Sequence, residues 1–247
     1  MGQTLCAMKH EDTGMPPQLA LDIRWEPDAA LEDFLAGPNG AAVAAISAVA
    51  AGRQAGPVYL YGESATGKSH LLKGACRAVN ARGEGAAYLP LDALLSHPPE
   101  VLAGMETTRV VAVDGLEAAA QSPQWQEALF HLFNRVRDAG GGFLAAGRGH
   151  PAHLGLALPD LVSRLRWGLV YRLLELSEAD KKALLQRRAR ARGLEMPPEV
   201  LDYLLARHRR DAAFLFSALD RLDDASLRAQ RRLTIPFVRR VLAGSAS

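Results

Sequence analysis

GESATGKS, residues 62–69, decides how this chain is read. It satisfies G-x-x-x-x-G-K-[ST] in full, the pattern of a loop that wraps phosphates with its backbone N–H groups. PVYLY (57–61) precedes it and has the apolar continuity of a short buried strand. Gly67 to about Arg82 follows as an amphipathic helix, with Gly83 just past its end. Strand, loop and helix in that order are the context this motif needs, because the positive end of the helix then favours the anion. The residues predicted to hold a nucleotide, ADP or ATP, are Gly62, Glu63, Ser64, Ala65, Thr66, Gly67, Lys68, Ser69 and His70. Lys68 is expected to reach the β- and γ-phosphates and Ser69 to ligate Mg²⁺. His70 stands at the helix start and carries no catalytic assignment. The alternative is a glycine-rich turn that matches by chance.

Working outward, AAYLP (86–90), RVVAVD (109–114) and FLAAG (143–147) read as further strands, and LVYRLLEL (169–176) contains a fifth. Between them lie an Ala-rich helix from about Gly40 to Gly52 and a second from Ser122 to about Ala139. Ser122 offers an N-cap, Pro123 suits the first helical position, and Gly140 to Gly142 provide a stop. Alternating strands and helices predict a five-stranded, mostly parallel sheet covered on both faces. After Ser177 the pattern is wholly helical. Ser177 with Asp180 resembles a capping box, Gly193 ends that helix, and others start near Pro198, Asp211 and Pro236. The fold class is therefore α/β, with a small all-α lid. The segments are 1–24, flexible; 25–176, the nucleotide-binding base; and 177–247, the lid.

Asp114 ends the third strand, where a Walker B carboxylate would help hold Mg²⁺; a strand-ending turn Asp is the alternative. Ser69 and Asp114 are thus the metal candidates. Glu117, three residues on, is the nearest other acid, and a surface position is expected for it. His150 and His153 lack partners at metal-binding spacing. Trp125 and Trp167 are expected to pack, and Cys76 to be buried in its helix.

The 247 residues carry a net charge of +2. Residues 181–247 hold 15 Lys and Arg against 7 Asp and Glu, which leaves 14 basic and 20 acidic residues in 1–180. That basic third suits nucleic acid, phosphates or an acidic partner, or simply solvates helix faces. No apolar run is long enough to span a membrane, and MGQTLCAMKHEDTGMPP (1–17) has no signal-type apolar core. Two cysteines make no disulfide framework, which fits a reducing cytoplasm.

The loop, the strand ending in Asp114, the five strands and the lid together resemble an AAA+ ATPase. LPLD (89–92), LFNRV (132–136), LPDLVSRLRWG (158–168) and RRLTIPFVRRVL (231–242) are similar to the DnaA-type branch, and to its regulators that lack a DNA-binding domain. The resemblance runs from about Gln18 to Leu242. It implies as partners DnaA and the sliding clamp, the beta subunit of DNA polymerase III, with DNA reached mainly through the clamp and no membrane contact. QLALDI (18–23) resembles the clamp-docking peptide, with Gln18 as anchor and Leu19, Leu21 and Ile23 for apolar pockets; Asp22 stands where the family tends to have proline. An alternating edge strand is the other reading. Arg164 matches the arginine finger, which would act in trans on a neighbour's ATP; Arg166 is the competitor, and a surface pair with Asp160 the alternative.

Three positions depart from the family. Gly115 replaces the second acid, Ala213 the lid's sensor arginine, and Ala146 or Arg148 the polar sensor after the fourth strand. They predict feeble hydrolysis by this chain. The function the resemblance implies is negative regulation of replication initiation, by stimulating hydrolysis of DnaA-bound ATP at the DNA-loaded clamp. The alternative is a self-sufficient DnaA-like or helicase-loader-like ATPase. The chain leaves no room after the lid for a helix-turn-helix domain, so specific duplex reading is not expected. Head-to-tail pairing of copies through the finger face is a further expectation.

Overall fold

The computed structural model describes residues 30–54, 56–207, 212–229 and 232–243. The QLALDI stretch, with Gln18, Leu19, Leu21 and Ile23, lies outside them.

Five strands form one parallel sheet in the order β2-β3-β4-β1-β5. They are β1 (Val58–Tyr61), β2 (Ala86–Pro90), β3 (Val110–Asp114), β4 (Gly142–Gly147) and β5 (Leu169–Arg172). Around them lie α1 (Gly40–Ala50), α2 (Lys68–Asn80), α3 (Leu91–Leu94), α4 (Pro123–Asp138) and α5 (Pro159–Trp167). The central strands read as unbroken apolar runs because both faces are covered. Side chains nevertheless alternate between two cores. Tyr59, Val111 and Val113 meet Leu129, Phe133 and Leu161 on the α4–α5 side. Val58, Leu60, Val110 and Ala112 meet Ile46, Leu71 and Val79 on the α1–α2 side. Burying each such Leu, Val or Phe fully contributes roughly 1.5–3 kcal/mol.

The helical part is α6 (Glu178–Ala191), α7 (Pro198–Arg207), α8 (Ala212–Ala229) and α9 (Ile235–Ala243). It has its own core, in which Leu185, Leu201, Leu219, Leu222 and Val238 are buried. The capping box at its start is formed: Asp180 N–H donates to Ser177 Oγ at 3.1 Å, and Ser177 N–H donates to Asp180 Oδ2 at 3.3 Å.

Several local readings change. Ser122 occupies the N-cap of α4 but makes no side-chain cap, so Pro123 at the first position carries the start. Gly142 does not merely stop α4; it pairs with Val110 as the first residue of β4. The fifth strand is short, ending at Arg172. Leu173 N–H still donates to the Tyr61 carbonyl at 2.7 Å, and both backbone groups of Leu174 are then taken by the buried Asn39 side chain, at 2.9 and 2.8 Å. That amide ties the linker beyond the sheet to the start of α1. Trp167 does not pack: it is 63% exposed, because α5 turns Leu161 and Leu165 inward and ends with Trp167 on the opposite side.

Candidate nucleotide site

The loop after β1 lies at the carboxyl end of a parallel sheet, the edge at which such sheets bind ligands. Gly67, with φ at +95°, turns the chain into α2, and Ala65 is also left-handed at +63°. The first rung into α2 runs from Leu71 N–H to the Gly67 carbonyl at 3.0 Å. The N–H groups of the opening turn are therefore outside the helix ladder and suit an anion. Thr66 Oγ1 donates to the Glu63 carbonyl at 2.9 Å and braces the loop from inside.

Lys68 folds back over this turn. Its Nζ donates to the carbonyls of Gly62 and Glu63, at 2.7 Å each. Burial pulls the ammonium below the usual lysine range, against the opposing pull of Asp114, Glu117 and Glu63; Arg148 adds a smaller lowering. These charges face one point, so the cradle suits a phosphate chain that arrives with a divalent cation.

Tyr88, in β2, belongs to no motif. Its hydroxyl donates to Asp114 Oδ2 at 2.6 Å, and Ser69 also hydrogen-bonds it. Burial, reinforced by the Asp114 charge, raises the phenol far above its ordinary value, so it stays a donor. Ser69 and Asp114 thus converge on one phenol, which places both predicted Mg²⁺ residues together. Among the described residues no group of three or more His, Cys, Asp or Glu forms a metal cage. One hydroxyl and one carboxylate, completed by phosphate oxygens and water, is the sparse set that Mg²⁺ takes. The residues present fit Mg-nucleotide.

Gly115 follows Asp114 at φ +75°, a left-handed turn into the 3₁₀ segment Leu116–Gln121. The missing acid is therefore written into the backbone as well as the side chain. Glu117 does not sit apart on the surface, as its spacing suggested. Its carboxylate is held by Arg148, Nε to Oε1 at 3.1 Å and backbone N–H to Oε2 at 3.1 Å. The His70 side chain turns away from the loop, with Nε2 3.3 Å from the Ala30 carbonyl and its ring 5.7 Å from that of Phe34. Beside the loop is a cavity of about 760 Å³, lined by Gly62, Glu63, Thr66, Arg148, His150 and Arg172 among others.

Arg164 is half-buried on α5, and Arg166, two residues on, is exposed. Among the described residues no ion pair links Arg164 to Asp160. What positions α5 is Gln126 of α4, 1% exposed. Its Nε2 donates to the carbonyls of Ala119 and Ala120 at 3.0 and 3.1 Å. Its Oε1 accepts from Ala157 and Leu158 N–H at 2.8 and 3.0 Å. One amide therefore joins the turn beyond Asp114 to the segment leading into α5. The side chain of Ala213, the expected sensor position, lies outside what can be placed, although its backbone is in α8.

Residues 26–172 match the model of the bacterial DnaA ATPase domain, and residues 178–242 match that of the Hda lid domain. Among solved structures, the chain is similar to domain III of the Thermotoga maritima replication initiation protein DnaA. The TM-score is 0.76 at 24% identity, covering 89% of this chain and 98% of that one. A replication initiator DnaA bound to AMPPCP and single-stranded DNA gives a TM-score of 0.71 at 23% identity, covering 84% and 70%. A single-site mutant of Thermotoga maritima RuvB gives 0.67 at 17% identity, covering 87% and 72%. At these identities the structural likenesses speak for the fold.

Proposed function

This chain belongs to the bacterial DnaA ATPase-domain family and carries an Hda-type lid, and on that premise we propose that it is a regulator of replication initiation that makes DnaA hydrolyse its ATP. In this reading ADP or ATP with Mg²⁺ sits on residues 62–70, held by Lys68, Ser69 and Asp114. When bound, Mg²⁺ would neutralise part of the phosphate charge. The protein's own residues grip and orient; they do not drive turnover. Gln18, Leu19, Leu21 and Ile23 hold the chain on the DNA-loaded sliding clamp. Arg164 then enters the site of ATP-bound DnaA and stabilises charge developing at the γ-phosphate, an effect worth roughly 10³–10⁵ in rate.

The observation that carries this reading is a complete phosphate-binding loop beside a turn that has no second acid. Gly115 is left-handed there, while Lys68 and Asp114 keep their places. A site built so can bind without turning over. The lack of an ion pair between Arg164 and Asp160 supports a role for Arg164 beyond its own helix. The test is phosphate release from ATP-bound DnaA with DNA-loaded clamp, with and without this protein. Stimulation is expected, and Arg164→Ala is expected to abolish it. If Arg164→Ala stimulates normally, the finger assignment fails.

One observation favours a second reading. Glu117 lies close enough to act on Lys68, so a self-sufficient ATPase would have an acid available. Turnover by the isolated protein, without DnaA, would establish that reading in place of the first.

A further inference from the structure

The carboxylate of Glu117 is held from two sides by one residue, Arg148, through its guanidinium Nε and its own backbone N–H, both at 3.1 Å. The preceding residue makes this close approach available. A Cβ on Gly147 would stand 3.2 Å from Glu117 Oε2 and 2.3 Å from the Tyr59 hydroxyl. The Tyr59 hydroxyl donates to the Gly149 carbonyl at 2.8 Å, which fixes the loop carrying Arg148 beyond the end of β4. The pair is thus built into the end of the sheet.

Its placement faces the loop. Arg148 lines the same cavity as Gly62, Glu63 and Thr66. Both members of the pair act on Lys68, with opposite sign. They differ in freedom: the Arg148 side chain is 81% exposed and the Glu117 side chain 28%. A guanidinium so exposed can swing to a new anion, whereas the carboxylate has less room to leave.

We propose that the Arg148–Glu117 pair balances this site between nucleoside diphosphate and nucleoside triphosphate, each member biasing it and the two together cancelling. The inference rests on the reading of residues 62–69 as a nucleotide site. A third phosphate brings negative charge toward Lys68. Glu117 repels it, and Arg148 attracts it but is already engaged by Glu117. With both present the two effects largely cancel, and the triphosphate gains little over the diphosphate. The arrangement thereby leaves the site close to indifferent to the third phosphate, and loss of either member alone unbalances it.

The pair predicts opposite shifts on removing either member. The measurement is titration of the full chain, with Mg²⁺, by fluorescent ADP and by a fluorescent β,γ-methylene ATP analogue that is not hydrolysed. Glu117→Gln is expected to shift the affinity ratio about three- to tenfold toward the triphosphate analogue, the size expected of one partly screened charge at this range. Arg148→Ala is expected to shift it by a similar factor toward ADP. The double variant should return to within about twofold of the wild-type ratio, because removing both members changes no net charge. If Glu117→Gln leaves the ratio unmoved, or both single variants move it the same way, the pair does not hold the balance. Lys68→Ala separates the two levels of the argument. Wild-type protein that binds neither nucleotide, or Lys68→Ala protein that binds as tightly as wild type, defeats the nucleotide site itself and the inference with it. Lys68-dependent binding with an unmoved ratio defeats the inference alone.

Discussion

Replacing Gln126 by leucine tests how α5 is held. Leucine nearly fills the space of the amide but makes no hydrogen bond. Four bonds disappear together, at 3.0, 3.1, 2.8 and 3.0 Å, and the side chain that makes them is 1% exposed. Each contributes a net 0.5–1.5 kcal/mol, roughly, and a stranded buried group costs about 1–3 kcal/mol. The four share one side chain, and some freed groups will find water. A loss of about 3–5 kcal/mol is expected, well above the usual range for a point substitution. For a chain of this size that is a fall in Tm of about 6–20 °C. Trp125, buried beside Gln126 in α4, reports base-domain unfolding by fluorescence in a denaturant series. The companion Gln126→Glu retains an acceptor for Ala157 and Leu158 N–H but turns a carboxylate on two carbonyls, so it should also destabilise. At a temperature where Gln126→Leu remains folded, nucleotide binding at residues 62–69 should persist while stimulation of DnaA falls, because the loosened segment is the one leading into Arg164. A loss below about 1 kcal/mol by denaturation would refute the idea that this amide pins α5.

Two further predictions concern Gly115 and Cys76. Gly115→Glu restores the second acid in name only: its backbone is left-handed at +75°, which costs a non-glycine residue about 1–2 kcal/mol. Its Cβ would point into space with Asp92 Oδ2 as the nearest atom, at 3.7 Å, so a new carboxylate meets an old one. A drop in Tm of about 2–8 °C with no gain in ATP turnover is expected, and a tenfold gain would show the turn can be re-armed by side chain alone. Burial pushes the Cys76 thiol up to about 12. In a Cys6→Ser background it should resist thiol reagents at pH 8 until the protein unfolds. Because the folded value is raised, its contribution to stability is complete below the unfolded value of about 8.5 and is lost as pH rises through 12. Cys76→Ala should flatten that part of the stability–pH curve; an unchanged slope between pH 9 and 11 would rule out Cys76 as its source.

Much of the architecture is legible in the sequence because period and punctuation agree. The full loop motif sits between an apolar run and an amphipathic helix, and the central strands of the sheet are visible as short apolar stretches. Legibility fails where a residue's partner is distant in sequence. Gln126 and Asn39 look like surface amides on their helices, yet each bonds backbone groups far along the chain. Tyr88 reads as one more strand aromatic until the sheet sets β2 beside β3 and brings its hydroxyl onto Asp114. Glu117 reads as a surface acid because Gly115 and Leu116 give no periodicity, and only the 3₁₀ turn returns its carboxylate to Arg148. The α5 helix escapes the periodic reading as well. At nine residues it has two buried positions, Leu161 and Leu165, too few for a pattern.

The substitutions at the site fall on one side of a physical division. Binding a phosphate chain needs backbone N–H groups, a helix start, a lysine and one carboxylate, and all of these keep their places around Lys68 and Asp114. Hydrolysis needs in addition a free acid to polarise water and a polar group at the terminal phosphate. The first is missing at Gly115, and the nearest substitute, Glu117, is paired with Arg148. A motor losing function at random would be expected to lose loop and acid alike, since each contributes to turnover. On the reading proposed above, the departures fall on turnover and spare the grip. A structural use for the ligand accounts for that pattern: Leu173 N–H bonds the end of β1 and Asn39 holds Leu174, so the linker toward the helical lid starts from the same strand end as the phosphate loop. A ligand that orders the loop would, by these bonds, also order the point where that linker begins.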